Sequence, residues 1–308
     1  MQRTLLAGLL VVAACESRPA PGGAAAEAAA DTTPSAPTRL HAVAGFSTPE
    51  SVVHDTAADV YFVSNINGSP AAKDGNGFIS RMRPDGTVDS LRFIDGGRGG
   101  VTLNGPKGMA LRGDTLWVAD IDAMRAFDRR TGAPLRTVDF GSRAAFLNDV
   151  AIGPDGMVYV SETGVRFTAS GEMQPTGTAG VFRLGSGRTI ERIAQDTALA
   201  APNGITSHAG RLLMGSFAGA RIFAWTPGQE GLTPTGLSLG GVDGLEALDD
   251  GRIIASSWDD SSIVVIGDSA TRLIPGLPAP ADFTIDRGRR RLLVPLFNDD
   301  RVEIWQLP

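Results

Sequence analysis

The chain has 308 residues, with 28 Lys and Arg side chains against 34 Asp and Glu, giving a formal net charge of −6 at pH 7. This acidic balance excludes a nucleic-acid-binding surface built on bulk positive charge, so we expect no nucleic-acid partner. Hydrophobic residues make up 42% of the chain, which is ordinary for a globular protein, and the 39 glycines indicate many tight turns. The single cysteine excludes an intramolecular disulfide and a zinc site built on cysteines.

The first fifteen residues are typical of a lipoprotein export signal. Arg3 precedes an apolar run from Leu5 to Ala14, which is too short to span a bilayer and suits a signal-peptide core. The run ends in Val-Ala-Ala-Cys15, which resembles the bacterial lipobox, in which the cysteine is acylated and becomes the new N-terminus. We predict a signal peptide over 1–14 and lipidation of Cys15, which would anchor the protein in the bacterial cell envelope on the periplasmic or extracytoplasmic side. The alternative is an ordinary secretory signal with Cys15 incidental.

Residues 15–38 are predicted to form a flexible tether. After Cys15 they contain only Ala, Gly, Pro, Ser, Thr and a few charged residues. No large apolar side chain is present to offset the entropy of ordering, so we expect no packed structure in this segment.

Residues 39–308 repeat one pattern, in which an alternating apolar strand, a Gly or Asp turn and a second strand follow each other. Six copies in about 270 residues give about 45 residues per unit, the length of a four-stranded propeller blade. The sequence therefore predicts an all-β fold, a six-bladed β-propeller. Its first strands begin near Glu50, Lys107, Asn148, Asn203, Asp243 and Ala281.

The two chain ends fit a closed ring. The sixth unit stops one strand short after Arg301–Trp305, and a spare strand at Arg39–Ala44 precedes the first unit. Pairing of these two strands would complete the last blade and protect the terminal edges. Neither a pair of β-sandwiches nor a helical repeat explains six hairpins with one orphan strand.

Equivalent positions on the first strands of a propeller converge on the central tunnel, so their side chains can form one site. Four of the six positions carry oxygen donors, namely Glu50, Asn148, Asn203 and Asp243. Two carboxylates and two amides suit Ca²⁺, then Mg²⁺ or Mn²⁺, and disfavour zinc. Turn chemistry is the alternative explanation for Asn203-Gly204 and Asp243-Gly244, but glutamate has no turn preference.

These residues lead to a family. The pairs Pro49-Glu50, Asn148-Asp149, Asn203-Gly204 and Asp243-Gly244 resemble the senescence marker protein/gluconolactonase family, which includes regucalcin, and are similar to diisopropyl fluorophosphatase and, more distantly, the paraoxonases. The resemblance implies a divalent cation in the tunnel, with Glu50, Asn203 and Asp243 as ligands. It implies that Asn148 contacts the substrate or the metal, and that the activity is hydrolysis of a lactone or a phosphoester-like bond.

The sequence departs from that family at two positions. Phe146 stands where gluconolactonases usually carry an arginine that grips sugar hydroxyls, which disfavours a sugar lactone. Lys107 enters the ring of ligand positions, where a cation beside a divalent metal needs a partner such as Asp149, Asp282 or Asp120. Lys107 either binds an anionic substrate, replaces the metal, or extends to solvent at the tunnel mouth.

The remaining site predictions concern catalysis and the pocket wall. Asp243 or Glu50 would attack the substrate or activate water, because His54 and His208 are expected at the surface away from the ligands and His41 on the outer rim. The ends of the second strands should lie beside the starts of the first. The predicted substrate-binding wall is therefore Asn65, Asp120, Glu162, Phe217, Trp258 and Asn298.

We expect residues 67–77 to form a lid over this pocket. The sequence thus favours a monomeric, envelope-anchored, Ca²⁺-dependent hydrolase of a small-molecule lactone, ester or phosphoester. The alternative is a non-catalytic propeller that binds a ligand or a protein.

Overall fold

The computed structural model describes residues 36–308, except Ala169 and Arg188. The predicted signal peptide, Cys15 and all of the predicted tether up to residue 35 lie outside the described residues. Within the described part of the chain, no helix is long and apolar enough to cross a membrane.

The predicted all-β, six-bladed propeller is confirmed by six four-stranded antiparallel sheets. The first three blades contain, from the axis outward, β2 (Pro49–Asp55), β3 (Val60–Asn65), β4 (Phe78–Met82) and β5 (Val88–Asp95); β6 (Pro106–Arg112), β7 (Thr115–Asp120), β8 (Ala123–Asp128) and β9 (Pro134–Asp139); and β10 (Leu147–Ile152), β11 (Val158–Glu162), β14 (Gly180–Leu184) and β15 (Ile190–Gln195), with the hairpin β12 (Val165–Phe167) and β13 (Met173–Pro175) inserted after β11.

The last three blades follow the same plan. They contain β16 (Pro202–His208), β17 (Arg211–Ser216), β18 (Ile222–Trp225) and β19 (Thr233–Pro234); β20 (Val242–Ala247), β21 (Ile253–Ser257), β22 (Ser262–Ile266) and β23 (Ala270–Pro275); and β24 (Thr284–Asp286), β25 (Arg291–Leu296), β26 (Arg301–Gln306) and β1 (Thr38–Ala44). Two short 3-10 turns, Gly141–Arg143 and Thr197–Leu199, precede the third and fourth blades.

The N-terminal strand closes the ring as predicted. β1 pairs antiparallel with β26, from Thr38 opposite Gln306 to Ala44 opposite Arg301, and so supplies the outer strand of the sixth blade. This pairing satisfies the edge of β26 with backbone from the other end of the domain and ties the first blade to the last.

Six apolar clusters, one between each pair of neighbouring blades, hold the ring together. The cluster between blades six and one contains Val52, Tyr61 and Val63 from one side, and Leu293 and Ile304 from the other. The other five clusters join blades one and two, two and three, three and four, four and five, and five and six. Because both faces of each sheet are covered by a neighbour, middle strands such as β7 and β21 are buried along almost their whole length.

Candidate active site

One pocket at the starts of the inner strands brings the predicted ring together. Glu50, Lys107, Asn148, Asn203 and Asp243 all line it, and each is the second residue of its strand. All five side chains are buried, although each is a charged or amide group that normally prefers water. The sixth position, Ala281, is buried and offers no polar atom.

A repeated backbone irregularity accompanies these side chains. In blades one to five, the pairing between the inner strand and the second strand shifts register by one residue between the first and fourth residues of the inner strand, for example between Pro49 and Val52. The axial residue, which is the second of each inner strand, falls inside the bulge. A bulge bends the strand and redirects a side chain, which is how a residue on a pleated strand can be aimed at the axis.

The glycines that follow Asn203 and Asp243 are required by packing. Gly204 and Gly244 lie inside strands β16 and β20, and neither has a positive φ. A Cβ on Gly204 would collide with the backbone oxygen of Asp243 on the next inner strand. The turn explanation for Asn203-Gly204 and Asp243-Gly244 is therefore wrong: the glycines let neighbouring strands approach closely at the axis.

Four oxygen atoms at the pocket have no hydrogen-bond partner among the described residues. They are buried Glu50 Oε2, Asn148 Oδ1, Asn203 Oδ1 and Asp243 Oδ1. Leaving a buried acceptor unsatisfied costs about 1–3 kcal/mol, so one isolated case would already need an explanation. Four such oxygens at one pocket are the donor set that a hard cation such as Ca²⁺ takes.

The orientation of Asn148 is set by a neighbour. Its amide nitrogen donates to Thr163 Oγ1 at 3.1 Å, and the Thr163 hydroxyl donates to the Pro202 carbonyl oxygen at 2.9 Å. With the nitrogen engaged, the amide oxygen is the atom left without a partner. No cluster of three or more His, Cys, Asp or Glu side chains suited to a metal occurs among residues 36–308 as described, so a metal here needs both asparagines.

The electrostatics of the pocket favour a cation. Burial raises the pKa of Glu50 well above its usual range, and the Asp243 carboxylate raises it further, while Lys107 opposes the rise. Burial also raises the pKa of Asp243 to about 7, against the nearby Trp258 and Asn203 side chains, which lower it. A cation bound between these two carboxyls would favour the ionised form of both.

Lys107 lies in the pocket wall rather than in solvent. Its side chain is 1% exposed, its Nζ donates to the Gly105 carbonyl oxygen at 3.1 Å, and Nζ lies 4.1 Å from the centroid of the Phe146 ring. Burial lowers the pKa of Lys107 to about 8, against the Glu50, Asp120 and Glu162 carboxylates, which raise it. Of the three alternatives for Lys107, extension to solvent at the tunnel mouth is wrong.

The structure places Asp120 and Glu162 behind the pocket and not in its lining. Asp120 Oδ1 accepts the backbone N–H groups of Asn104 and Gly105 at 2.9 Å, and its Oδ2 accepts from Arg125. Glu162 accepts the backbone N–H groups that precede β10. Asn65 likewise accepts from the Ser47 amide. These side chains satisfy the loops that lead into the inner strands, so they are positioning groups.

The pocket wall is formed by the residues that come directly after the second strands end. Ile66, Thr163, Phe217, Trp258 and Phe297, which follow the ends of β3, β11, β17, β21 and β25, all line the pocket. The predicted wall residues Phe217 and Trp258 are thus in place, whereas Asn298 gives way to Phe297. Successive side chains of a strand point to opposite sides, so an error of one residue exchanges the wall for the loop-binding position.

The wall is aromatic on one side. Trp258 lies between Phe217 and Phe297, with ring centroids 5.4 Å away from each, in edge-to-face arrangements. Trp258 Nε1 is buried without a hydrogen-bond partner. The cavity of about 330 Å³ thus combines polar groups at its base with apolar walls, which is the usual composition of a small-molecule site.

The inserted hairpin β12–β13 covers the pocket more than the predicted lid does. Val165, Phe167, Gly171 and Met173 of the hairpin line the pocket, whereas the 67–77 segment contributes Pro70. The Phe167 ring also packs on Phe146, with centroids 5.4 Å apart.

The histidines lie away from this pocket. His54 is at the far end of β2, where its side chain is only 10% exposed and lies 3.7 Å from Asp59 and 3.9 Å from Asp286. The expectation of a surface position for His54 is therefore wrong, but its position away from the axial pocket is as predicted. His208 ends β16 and is half-buried, and His41 is exposed on the outer strand β1.

No protein-family model and no curated protein sequence matches this chain. Among solved structures, a protein provisionally called a gluconolactonase is 18% identical, with 88% of this chain and 92% of that protein covered and a TM-score of 0.65. A streptogramin B lyase is 14% identical, with 88% and 97% covered and a TM-score of 0.60. A gluconolactonase from Xanthomonas campestris is 20% identical, with 88% and 99% covered and a TM-score of 0.58. The likeness to gluconolactonase propellers predicted from the sequence is thus confirmed for the fold.

Proposed function

We propose that this chain is a Ca²⁺-dependent hydrolase that cleaves a lactone, ester or phosphoester-like bond in a largely apolar small molecule. The observation that supports it most is the set of four buried oxygens, on Glu50, Asn148, Asn203 and Asp243, that share a pocket and lack partners. These residues would hold the ion. When bound, Ca²⁺ would act as a Lewis acid on a carbonyl or phosphoryl oxygen.

The chain's own groups would supply the remaining chemistry. Asp243 and Glu50 are the carboxylates at the pocket base, and no histidine occurs among the residues that line it. One of the two would therefore attack the acyl carbon or phosphorus, or take a proton from the attacking water. The net reaction adds one water: its oxygen forms a bond to carbon or phosphorus, the bond from that atom to the alkoxide oxygen breaks, and a proton from the water goes to the leaving alkoxide.

The wall favours an apolar substrate over a sugar lactone. Phe217, Trp258 and Phe297 offer ring faces and edges, and Phe146 with Phe167 covers the other side. Neither group offers the charged hydrogen-bond donors that grip several hydroxyls. Water would be excluded on both sides, which strengthens electrostatic interactions at the base.

We further propose that the hydrolase works as a monomer outside the cytoplasm, held by lipid on Cys15. The support is the sequence alone: the apolar run to Ala14 and the Ala-Ala-Cys15 ending are typical of a lipoprotein signal, and residues 16–38 suit a tether.

The full chain, purified in detergent and dialysed against chelator, provides the test. Metal analysis after Ca²⁺ loading should find a single ion per chain, and Asp243→Ala should abolish this binding. Dihydrocoumarin, phenyl acetate and paraoxon then serve as lactone, ester and phosphotriester probes, and at least one should be hydrolysed only with Ca²⁺.

Three results are informative against the proposal. A chain that holds no divalent ion contradicts the metal site, and so does an Asp243→Ala variant that binds Ca²⁺ as well as the wild type. A chain that binds Ca²⁺ but hydrolyses none of the three probes favours the non-catalytic binding propeller.

A further inference from the structure

Lys107 is an ammonium group without a counter-ion in contact. It lines the pocket beside Glu50 and is 1% exposed, yet no carboxylate oxygen of the described residues lies within 4.0 Å of its Nζ. Its one hydrogen bond goes to the Gly105 carbonyl oxygen. An ammonium group has three donors, so two remain for a ligand.

The surroundings hold this cation in place without neutralising it. The Nζ atom of Lys107 contacts the carbonyl oxygen of Gly105 and the ring of Phe146. The backbone N–H of Gly105 is bound by Asp120 at 2.9 Å, and that of Phe146 by Glu162 at 3.0 Å. Both carboxylates are thus engaged by backbone amides, so they stabilise the charge from a distance and fix its two neighbours.

With Ca²⁺ bound, the charges in the pocket would leave the Lys107 ammonium group available to an anionic ligand. The two charges of Ca²⁺ would be matched by the carboxylates of Glu50 and Asp243, which then no longer balance Lys107. A buried cation with unused donors, next to an aromatic wall, is suited to a carboxylate on an apolar body.

We propose that Lys107 binds an anionic group, a carboxylate, of an aromatic or otherwise apolar substrate, and so determines the substrate class of this site. This inference rests on the proposed function, because it needs the metal to occupy Glu50 and Asp243. The wall of Phe217, Trp258 and Phe297 takes the apolar part of the substrate.

The lysine content of the chain allows a direct test. Lys73 and Lys107 are its two lysines, so labelling with ¹³Cε-lysine gives two NMR resonances in the full chain. Lys73→Met assigns them, since Lys73 pairs with Asp122 outside the pocket. Phenylacetate added to the Ca²⁺-loaded chain should shift the Lys107 resonance and leave that of Lys73 in place. Phenylacetamide, its neutral analogue, should shift neither.

Affinity measurements on variants separate this role from metal coordination by the probe. Lys107→Met should weaken phenylacetate binding by about tenfold or more, the effect of losing one charge-assisted hydrogen bond, and leave phenylacetamide binding within about twofold. Lys107→Arg, which keeps the charge, should recover part of the loss, and Lys73→Met should change neither affinity.

The inference is overturned if phenylacetate fails to shift Lys107, if Lys107→Met binds phenylacetate as tightly as the wild type, or if both probes lose affinity equally. Calcium content, measured on the same samples, distinguishes the two proposals. A chain that binds no Ca²⁺ contradicts the proposed function and this inference with it. A chain that binds Ca²⁺ and gives any of the three results contradicts this inference alone.

Discussion

Replacing Asp243 with asparagine should stabilise the metal-free protein at alkaline pH and remove its response to calcium. In the metal-free fold the Asp243 carboxyl is buried at the pocket with Glu50, and its pKa is raised from 3.8 to about 7. The folded chain therefore holds a proton that the unfolded chain releases. Its free energy of unfolding falls as the pH rises from about 4 to about 7, and the loss is complete above that range.

The size of this effect follows from the shift. Each pKa unit corresponds to about 1.4 kcal/mol, so an upper limit for the cost of ionised Asp243 at pH 8 is roughly 4 kcal/mol. Asn keeps the shape without the charge and also relieves the repulsion on Glu50. We expect Asp243→Asn to equal the wild type near pH 4 and to exceed it at pH 8, by some fraction of that limit.

Calcium should act on the wild type alone. At a hundredfold excess over its dissociation constant, Ca²⁺ should stabilise the wild type by about 2.7 kcal/mol and leave Asp243→Asn unchanged. The assay is chemical unfolding of the full chain at pH 4 and pH 8, with chelator and with Ca²⁺.

Glu162→Gln is the matched control, because Glu162 is a buried carboxylate that accepts backbone N–H groups outside the pocket lining. It should destabilise the chain and keep the calcium response. The reasoning is refuted if Asp243→Asn is less stable than the wild type at pH 8 without metal, or if calcium stabilises it fully.

Three further changes test the structure. Thr163→Val removes the acceptor of the Asn148 amide N–H, so calcium affinity should drop about tenfold in titration calorimetry, whereas Thr163→Ser should keep it. Gly204→Ala should lower the free energy of unfolding by more than about 2 kcal/mol, because its Cβ collides with backbone of the next inner strand; Gly288→Ala, in ordinary contact, should be near neutral. Cys15→Ser should abolish metabolic palmitate labelling and release the protein from membranes; a variant that stays membrane-bound contradicts the lipid anchor.

The sequence alone was sufficient for the ring and for the residues that share the axial pocket. The six hairpins share a period, and a propeller places equivalent residues around one axis, so Glu50, Asn148, Asn203 and Asp243 could be brought together without coordinates. Ring closure followed from counting strands, because the orphan strand before Glu50 had one place to pair.

The pocket wall was harder to predict than the ring. Side chains alternate between the two sides of a strand, so an alignment error of one residue selects the wrong set of side chains. Asp120 and Glu162 were predicted in the wall and lie behind it. Asn298 was predicted in the wall, but its neighbour Phe297 lines the pocket. The sequence did contain a signal for the correct alignment. Ser216 and Ser257 are small polar residues at the same strand position as Asn65 and Asp120, and aligning the four places the wall at the residue that follows each of them.

The hairpin over the pocket could not be predicted from the repeat. Val165–Phe167 and Met173–Pro175 are short and belong to no blade, so neither period nor hydrophobic alternation marks them. The bulges were also hidden, because a register shift depends on both strands of a pair, and the glycine after Asn203 looked like a turn residue.

The six clusters between the blades include none of the five polar residues that ring the axis. The residues that line the axial pocket and the residues that pack one blade against the next are therefore separate sets. Exchanging one axial residue alters what the mouth of the tunnel can hold while the hydrophobic seams stay intact.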